Sequence, residues 1–234
     1  MTHFDATRSG EVTVLTLKRG KVNAFNRPMI EEFQHLIDGT AADNLVKGLI
    51  LTGRGKFFSF GLDVPELYSL SMEDFTEFLR AFTRLYATLY MYPKPVVAAL
   101  NGHAIAGGCM VAIACHRRIM AAGRSKIALN EITFGSTVFA GSVEMLRACA
   151  GQRNAEEVML SGAMFEPDRA LALGLVDRVV PADDLLPLAV DEAREMASRD
   201  AAAFQSMRRL LRAPVAELMR AREDESIREF VRIW

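Results

Sequence analysis

The chain has 234 residues, half of them hydrophobic and 24% charged, with 28 basic and 29 acidic residues for a formal net charge of −1. That balance excludes a general electrostatic attraction to nucleic acid or to an anionic membrane, so any anionic partner must be held by a local site. The longest apolar stretch, Ala104 to Cys115, falls short of the roughly 20 residues that span a bilayer.

The polar segment from Met1 to Glu11 does not read as a signal or transit peptide. Val12 to Leu17 alternates with β-branched residues and predicts a strand. A helix is expected from Asn26 as N-cap, with Pro28 in its first turn and Met29, Ile30, Phe33, Leu36 and Ile37 on one face. Gly48 to Thr52 is a buried strand that enters a Gly-rich loop from Gly53 to Asp63. Ser71 to Met91 predicts a long helix, ended by Pro93-Lys94-Pro95. Val96 to Leu100 is a second buried strand, after which Asn101-Gly102 turns the chain and Gly107 opens an apolar helix. Short strands are expected at Arg118 to Ala121 and Lys126 to Leu129. After Gly141 helices dominate, interrupted by a strand at Val176 to Val180. Beyond Pro181 the composition turns to Ala, Arg, Glu and Met. This predicts an α/β core over residues 1–181 and a helical region over 182–234, with no Ser/Gly linker between them. Cys109, Cys115 and Cys149 form no CxxC and are odd in number. They point to buried thiols in a reducing, cytoplasmic compartment.

Three segments could carry chemistry. Two strand–loop–helix units repeat one device, Lys56 to Val64 and Asn101 to Cys109. Small residues there let a ligand approach the backbone, and one N–H from each loop could converge on a carbonyl oxygen as an oxyanion hole. The Gly107 amide would sit at a helix N-terminus, where the dipole favours developing negative charge. Neither loop fits the dinucleotide or P-loop pattern, no GxSxG is present, and His3, His35, His103 and His116 lack metal-ligand spacing. No metal is expected. The third segment is Ile127 to Gly135, where Glu131 stands among apolar neighbours. Desolvation there would raise its pKa into the range of a general base.

Taken together these segments resemble the enoyl-CoA hydratase/isomerase (crotonase) superfamily. The resemblance rests on Lys21-Val22-Asn23-Ala24-Phe25-Asn26, Gly55 to Asp63, Pro95 to Ala104 continuing through Gly107-Gly108-Cys109, and Leu160-Ser161-Gly162 with Ala170 to Asp177, in that order. It implies a spiral of ββα turns followed by a C-terminal helical trimerisation region, here lacking the last helix of longer members. It also implies acyl-CoA thioesters as ligands and a homotrimer or a dimer of trimers. No cofactor is implied beyond the coenzyme A of the substrate, and no nucleic-acid or membrane partner. Carried over by position, the oxyanion donors are the amides of Phe60 and Gly107. Asn23, Ala24 and the loop Phe60, Gly61, Leu62 and Asp63 would lie along coenzyme A, with Asp63 as a loop-organising acceptor.

Family hydratases use two glutamates. The first position is Met110 here, which cannot transfer a proton, and the second is Glu131. One base suits a proton shift, so the resemblance implies Δ3,Δ2-enoyl-CoA isomerisation in fatty-acid metabolism. Hydration, acyl-CoA decarboxylation and non-catalytic acyl-CoA binding stand as alternatives. Departures from the family pattern are Ala106 in place of a glycine, Pro65 in place of a lysine, and Ser136 to Ala140 in place of a Pro/Gly-rich loop. Phe139 would narrow the acyl pocket, and with Met110 would make it drier.

Overall fold

The computed structural model describes residues 1–234. Its main sheet has six strands in the order β1-β2-β3-β5-β7-β9: Phe4–Ser9, Val12–Leu17, Gly48–Gly53, Val96–Leu100, Arg117–Ala121 and Arg178–Val180. β1 pairs with β2 antiparallel, and the remaining pairs are parallel. A second, parallel sheet holds β4 (Phe57–Ser59), β6 (His103–Ile105) and β8 (Ile127–Ala128).

Each small strand follows a strand of the main sheet, so the chain winds as successive ββα turns. β3 leads to β4 and then α2 (Val64–Leu67) and α3 (Met72–Tyr90). β5 leads to β6 and α4 (Gly107–Ala114), and β7 leads to β8, a 3-10 turn (Glu131–Phe134) and α5 (Ala140–Ala150). Local chemistry sets the ends of these elements. Asn26 Oδ1 accepts from the Met29 amide at the start of α1 (Arg27–Ala42), and Ser71 Oγ accepts from the Asp74 amide at the start of α3. Asn101 ties two turns of the spiral, since its Oδ1 accepts from the Gly53 amide at 2.8 Å and its Nδ2 donates to the Gly55 carbonyl at 3.0 Å. A Cβ on Gly102 would overlap the Lys56 carbonyl, so only glycine permits this approach.

The strand β1 is absent from the sequence reading because it lies at the sheet edge, with only Phe4 buried and no alternation to betray it. The strand expected from Lys126 shortens to β8, and the one expected from Val176 begins at Arg178. The remaining helices are α6 (Gln152–Ser161), α7 (Pro167–Ala172), α8 (Ala182–Ala197), α9 (Ala201–Ala221) and α10 (Glu223–Ile233). The larger core lies on one side of the main sheet and includes α3, α4 and Phe230 of α10. A smaller one lies on the opposite face, where Leu185, Ala189 and Ala193 of α8 cover Val12, Ile50, Val97 and Ile119. The helical region after residue 181 thus packs directly on the core, with α8 sealing the second face of the sheet. No helix is long and apolar enough to cross a membrane.

Candidate active site

The two small-residue loops meet. Gly61 has φ of +93°, and a Cβ there would stand 2.8 Å from the Gly107 amide nitrogen. A Cβ on Gly107 would in turn press on the Phe82 ring at 2.9 Å. Gly107 is the first residue of α4, whose eight residues are all buried, so its N–H is one of the amides a helix leaves unpaired. The preceding residue, Ala106, has φ of 50°, an uncommon backbone state for a residue that carries a Cβ. Its amide is fixed by the Ala128 carbonyl at 2.8 Å.

On the other loop the amides are allocated one by one. Phe60 N–H donates to the Val22 carbonyl at 2.9 Å, Gly61 N–H to Ser59 Oγ at 3.1 Å, and Asp63 N–H to the Phe25 carbonyl at 2.9 Å. The Leu62 amide makes no hydrogen bond, and Leu62 lines the same cleft as Gly107. This corrects the expected donor pair: the Phe60 amide is already committed, and the free one belongs to Leu62. A short parallel bridge of Phe25 to Leu62 imposes that alternation, and nothing in the local sequence announces it. The Phe60 side chain, 49% exposed, stands at the cleft wall.

Glu131 begins the 3-10 turn and is 4% exposed. Its Oε2 has no partner, and burial pushes its carboxyl up to about 7 against a weaker opposing backbone hydrogen bond. The Ser136 amide donates to the Glu131 carbonyl at 3.0 Å and fixes the turn. Asn130 Oδ1 and Ser136 Oγ are also buried without partners beside it. Met110 lies one helical turn after Gly107, and Met110 and Phe139 are both buried at the wall.

These groups line one cleft of about 800 Å³, with 13 of its 22 residues hydrophobic. Ala24, Leu62, Asp63, Gly107, Met110, Glu131 and Phe139 border it, whereas Gly61 lies behind the wall as packing for Gly107. Asn23, expected along the ligand, is corrected as well. It is fully buried with φ of 51°, and its Nδ2 donates to the carbonyls of Arg54, Phe57 and Phe58 at 3.3, 2.9 and 3.2 Å. Its side chain holds the first loop from behind. Asp63 accepts from Arg19 Nη1 at 2.6 Å and caps α2 through the Glu66 amide, which makes it an organiser of the loop. Ser59 Oγ donates to the Asn23 carbonyl at 2.7 Å and His103 Nδ1 accepts from the Lys126 amide, so no Ser–His–Asp relay exists.

Sequence reasoning missed Arg19, Tyr68, Phe230 and Trp234, all of which border the cleft. Arg19 had a signal, a cation next to Gly20 before the first loop. Phe230 and Trp234 had none, because they arrive from the far end of the chain. Chemically, one largely apolar cleft gathers a buried carboxyl raised to about 7 and two residues whose amides are free. That arrangement can remove a proton from carbon next to a carbonyl and hold the resulting oxyanion.

Comparison with known proteins agrees with this geometry. Residues 7–230 match the family model for enoyl-CoA hydratase/isomerase. The chain is 30% identical to 2,3-dehydroadipyl-CoA hydratase of Escherichia coli strain K12, over 91% of this chain and 82% of that protein. It is 34% identical to mitochondrial enoyl-CoA delta isomerase 1 of Rattus norvegicus, over 74% of this chain and 61% of that one. The structure of human mitochondrial delta3-delta2-enoyl-CoA isomerase superimposes with a TM-score of 0.94 at 29% identity, covering 98% of this chain and 91% of that chain. The match runs along nearly the whole chain, and the chain belongs to the enoyl-CoA hydratase/isomerase family.

Proposed function

We propose that the protein isomerises 3-enoyl-CoA to 2-enoyl-CoA with Glu131 as its single base. The observation that carries this reading is the cleft's inventory of carboxylates. Besides Glu131 only Asp63 borders it, and Asp63 is tied to Arg19. At the position where the family resemblance puts a hydratase's second glutamate, which helps activate the attacking water, the wall offers Met110.

The thioester oxygen sits between the Leu62 and Gly107 amides. Glu131 takes a C2 proton, and the electron pair moves into a dienolate whose negative charge rests on that oxygen. The protonated Glu131 then returns the proton to C4, so the double bond ends conjugated with the thioester and the base is regenerated. Each amide contributes about 3–4 kcal/mol of transition-state stabilisation, and the positioned base about 10²–10⁴-fold in rate. Coenzyme A lies along Ala24 and the Leu62–Asp63 loop, with Lys21 as the cation without an acidic partner among the lining residues, since Arg19 already pairs with Asp63 and Glu66. No cofactor beyond coenzyme A takes part. We read the assembly as a homotrimer or dimer of trimers in the cytoplasm.

Purified protein assayed with 3-enoyl-, 2-enoyl- and malonyl-type thioesters separates isomerisation from hydration and decarboxylation. Glu131→Gln is expected to lose isomerase activity by at least about 10²-fold, and a near wild-type rate would sink the one-base mechanism. Hydration has one observation in its favour, the unpartnered Asn130 Oδ1 and Ser136 Oγ, which could hold a water. Met110→Glu tests it from the other side: a second carboxylate is expected to introduce hydration of 2-enoyl-CoA that the unaltered protein lacks.

A further inference from the structure

Aromatic rings line one wall of the cleft. Phe82 lies directly behind Gly107, and the Phe139 ring centroid is 6.3 Å from that of Phe82. Phe230 of α10 stacks on Phe139 at 4.7 Å with planes 17° apart, and Trp234 follows at 6.0 Å. Trp234 packs in turn on Phe75 at 4.8 Å and on Tyr68 at 5.0 Å. Phe139 and Phe230 are buried, so the stack is a packed wall. The helix that delivers it is anchored at its other end: Arg222 pairs with the buried Glu144 at 2.9 Å, Thr83 donates to Glu223, and Asp224 pairs with Arg80.

This wall begins one ring behind Gly107, the glycine whose amide would receive the thioester oxygen. Resting on the reading of this cleft as an acyl-CoA site, we propose that Phe139, Phe230 and Trp234 set an upper limit on the length of acyl chain the cleft accommodates, so that methylenes beyond that limit add no affinity. Phe230 and Trp234 are the specificity-determining residues contributed by α10.

The test is calorimetric binding of free coenzyme A and of butyryl-, hexanoyl-, octanoyl- and dodecanoyl-CoA. These saturated thioesters need no double bond and no Glu131 chemistry. A pocket that accepts each added methylene gains roughly fourfold in affinity per methylene. The unaltered protein is expected to show such gains up to hexanoyl-CoA and none beyond. Phe230→Leu, which keeps an apolar side chain in the core, and Trp234→Ala, at the partly exposed chain end, are expected to lower the Kd ratio of dodecanoyl- to butyryl-CoA at least about tenfold. Gains continuing to dodecanoyl-CoA in the unaltered protein, or an unchanged ratio in both folded variants, would overturn the limit. Because the readout is binding, a failed isomerase assay with an intact length profile removes only the isomerase reading. A flat length profile with intact turnover removes only this one, and absence of all thioester binding removes both.

Discussion

At Glu131, burial and catalysis pull stability and activity in opposite directions. Its carboxyl is raised from 4.5 to about 7 by desolvation. Below that value it holds a proton and cannot act as a base, so the isomerisation rate is expected to rise with pH through about 7. The stability effect has the reverse sign. Between 4.5 and about 7 the folded chain binds a proton that the unfolded chain has released, so stability falls as pH rises and the penalty is complete above 7. The shift corresponds to about 3 kcal/mol. Glu131→Gln is therefore expected to be more stable than the unaltered protein at about pH 8 and no more stable at about pH 4, measured by urea denaturation. Asn23 is a polar residue buried for a structural end: its Nδ2 donates to three carbonyls of the first loop, while its Oδ1 is buried without a partner. Replacing it by Ala strips a donor from those carbonyls and is expected to cost about 2–3 kcal/mol with loss of the first loop's geometry. Glu131 was legible from its apolar neighbours in sequence. The role of Asn23 was not, because its partners lie more than 30 positions away.

At the scale of elements, α4 is the most constrained piece. A Cβ on Gly108 would overlap the Ser59 carbonyl, so Gly108→Ala is expected to push α4 from the first loop and spread the two amides apart. Activity should fall more than stability, and a kinetic assay beside a denaturation curve reads both. The other end of α4 is held by Arg212 of α9. Its guanidinium, lowered from its ordinary value chiefly by burial, donates to the carbonyls of Tyr90 at 2.8 Å, Ala114 at 2.9 Å and Cys115 at 3.1 Å. A cation is thus placed where α3 and α4 both end, which suits the negative ends of their dipoles. Arg212→Met orphans those carbonyls and is expected to cost about 3 kcal/mol in urea unfolding. Of the arginines of α9, Arg208 and Arg212 turn inward to the Tyr90 carbonyl.

At the scale of the whole molecule, α9 carries an apolar face that nothing in the chain covers, with Met207, Leu210, Leu211 and Leu218 all exposed. Such a patch marks an interaction surface, and the proposed homotrimer would bury it. Leu211→Glu is expected to shift the protein towards monomers, read by light scattering after size exclusion, while the far-ultraviolet spectrum keeps its helical content. The spiral itself was largely legible, because β2, β3 and β5 are β-branched or apolar runs bounded by turn residues. β1 escaped because an edge strand with one buried side chain has no pattern to read.

What the sequence alone determined is the sequence of turns in the spiral, the two small-residue loops and the lone carboxylate beside them. These are local properties: hydrophobic period, turn chemistry and the space a glycine leaves. Which amide of the first loop is free, where Asn23 points, and that Phe230 and Trp234 line the cleft were decided only by the tertiary structure. Each depends on which distant group satisfies a given donor or covers a given ring. A hydrogen bond from Phe60 to Val22, or a ring stacked between residues 139 and 230, has no periodicity from which to be inferred. The near-neutral composition leaves any anionic ligand to a local site, and the fold gathers free amides and Lys21, a cation with no acidic partner, at one cleft.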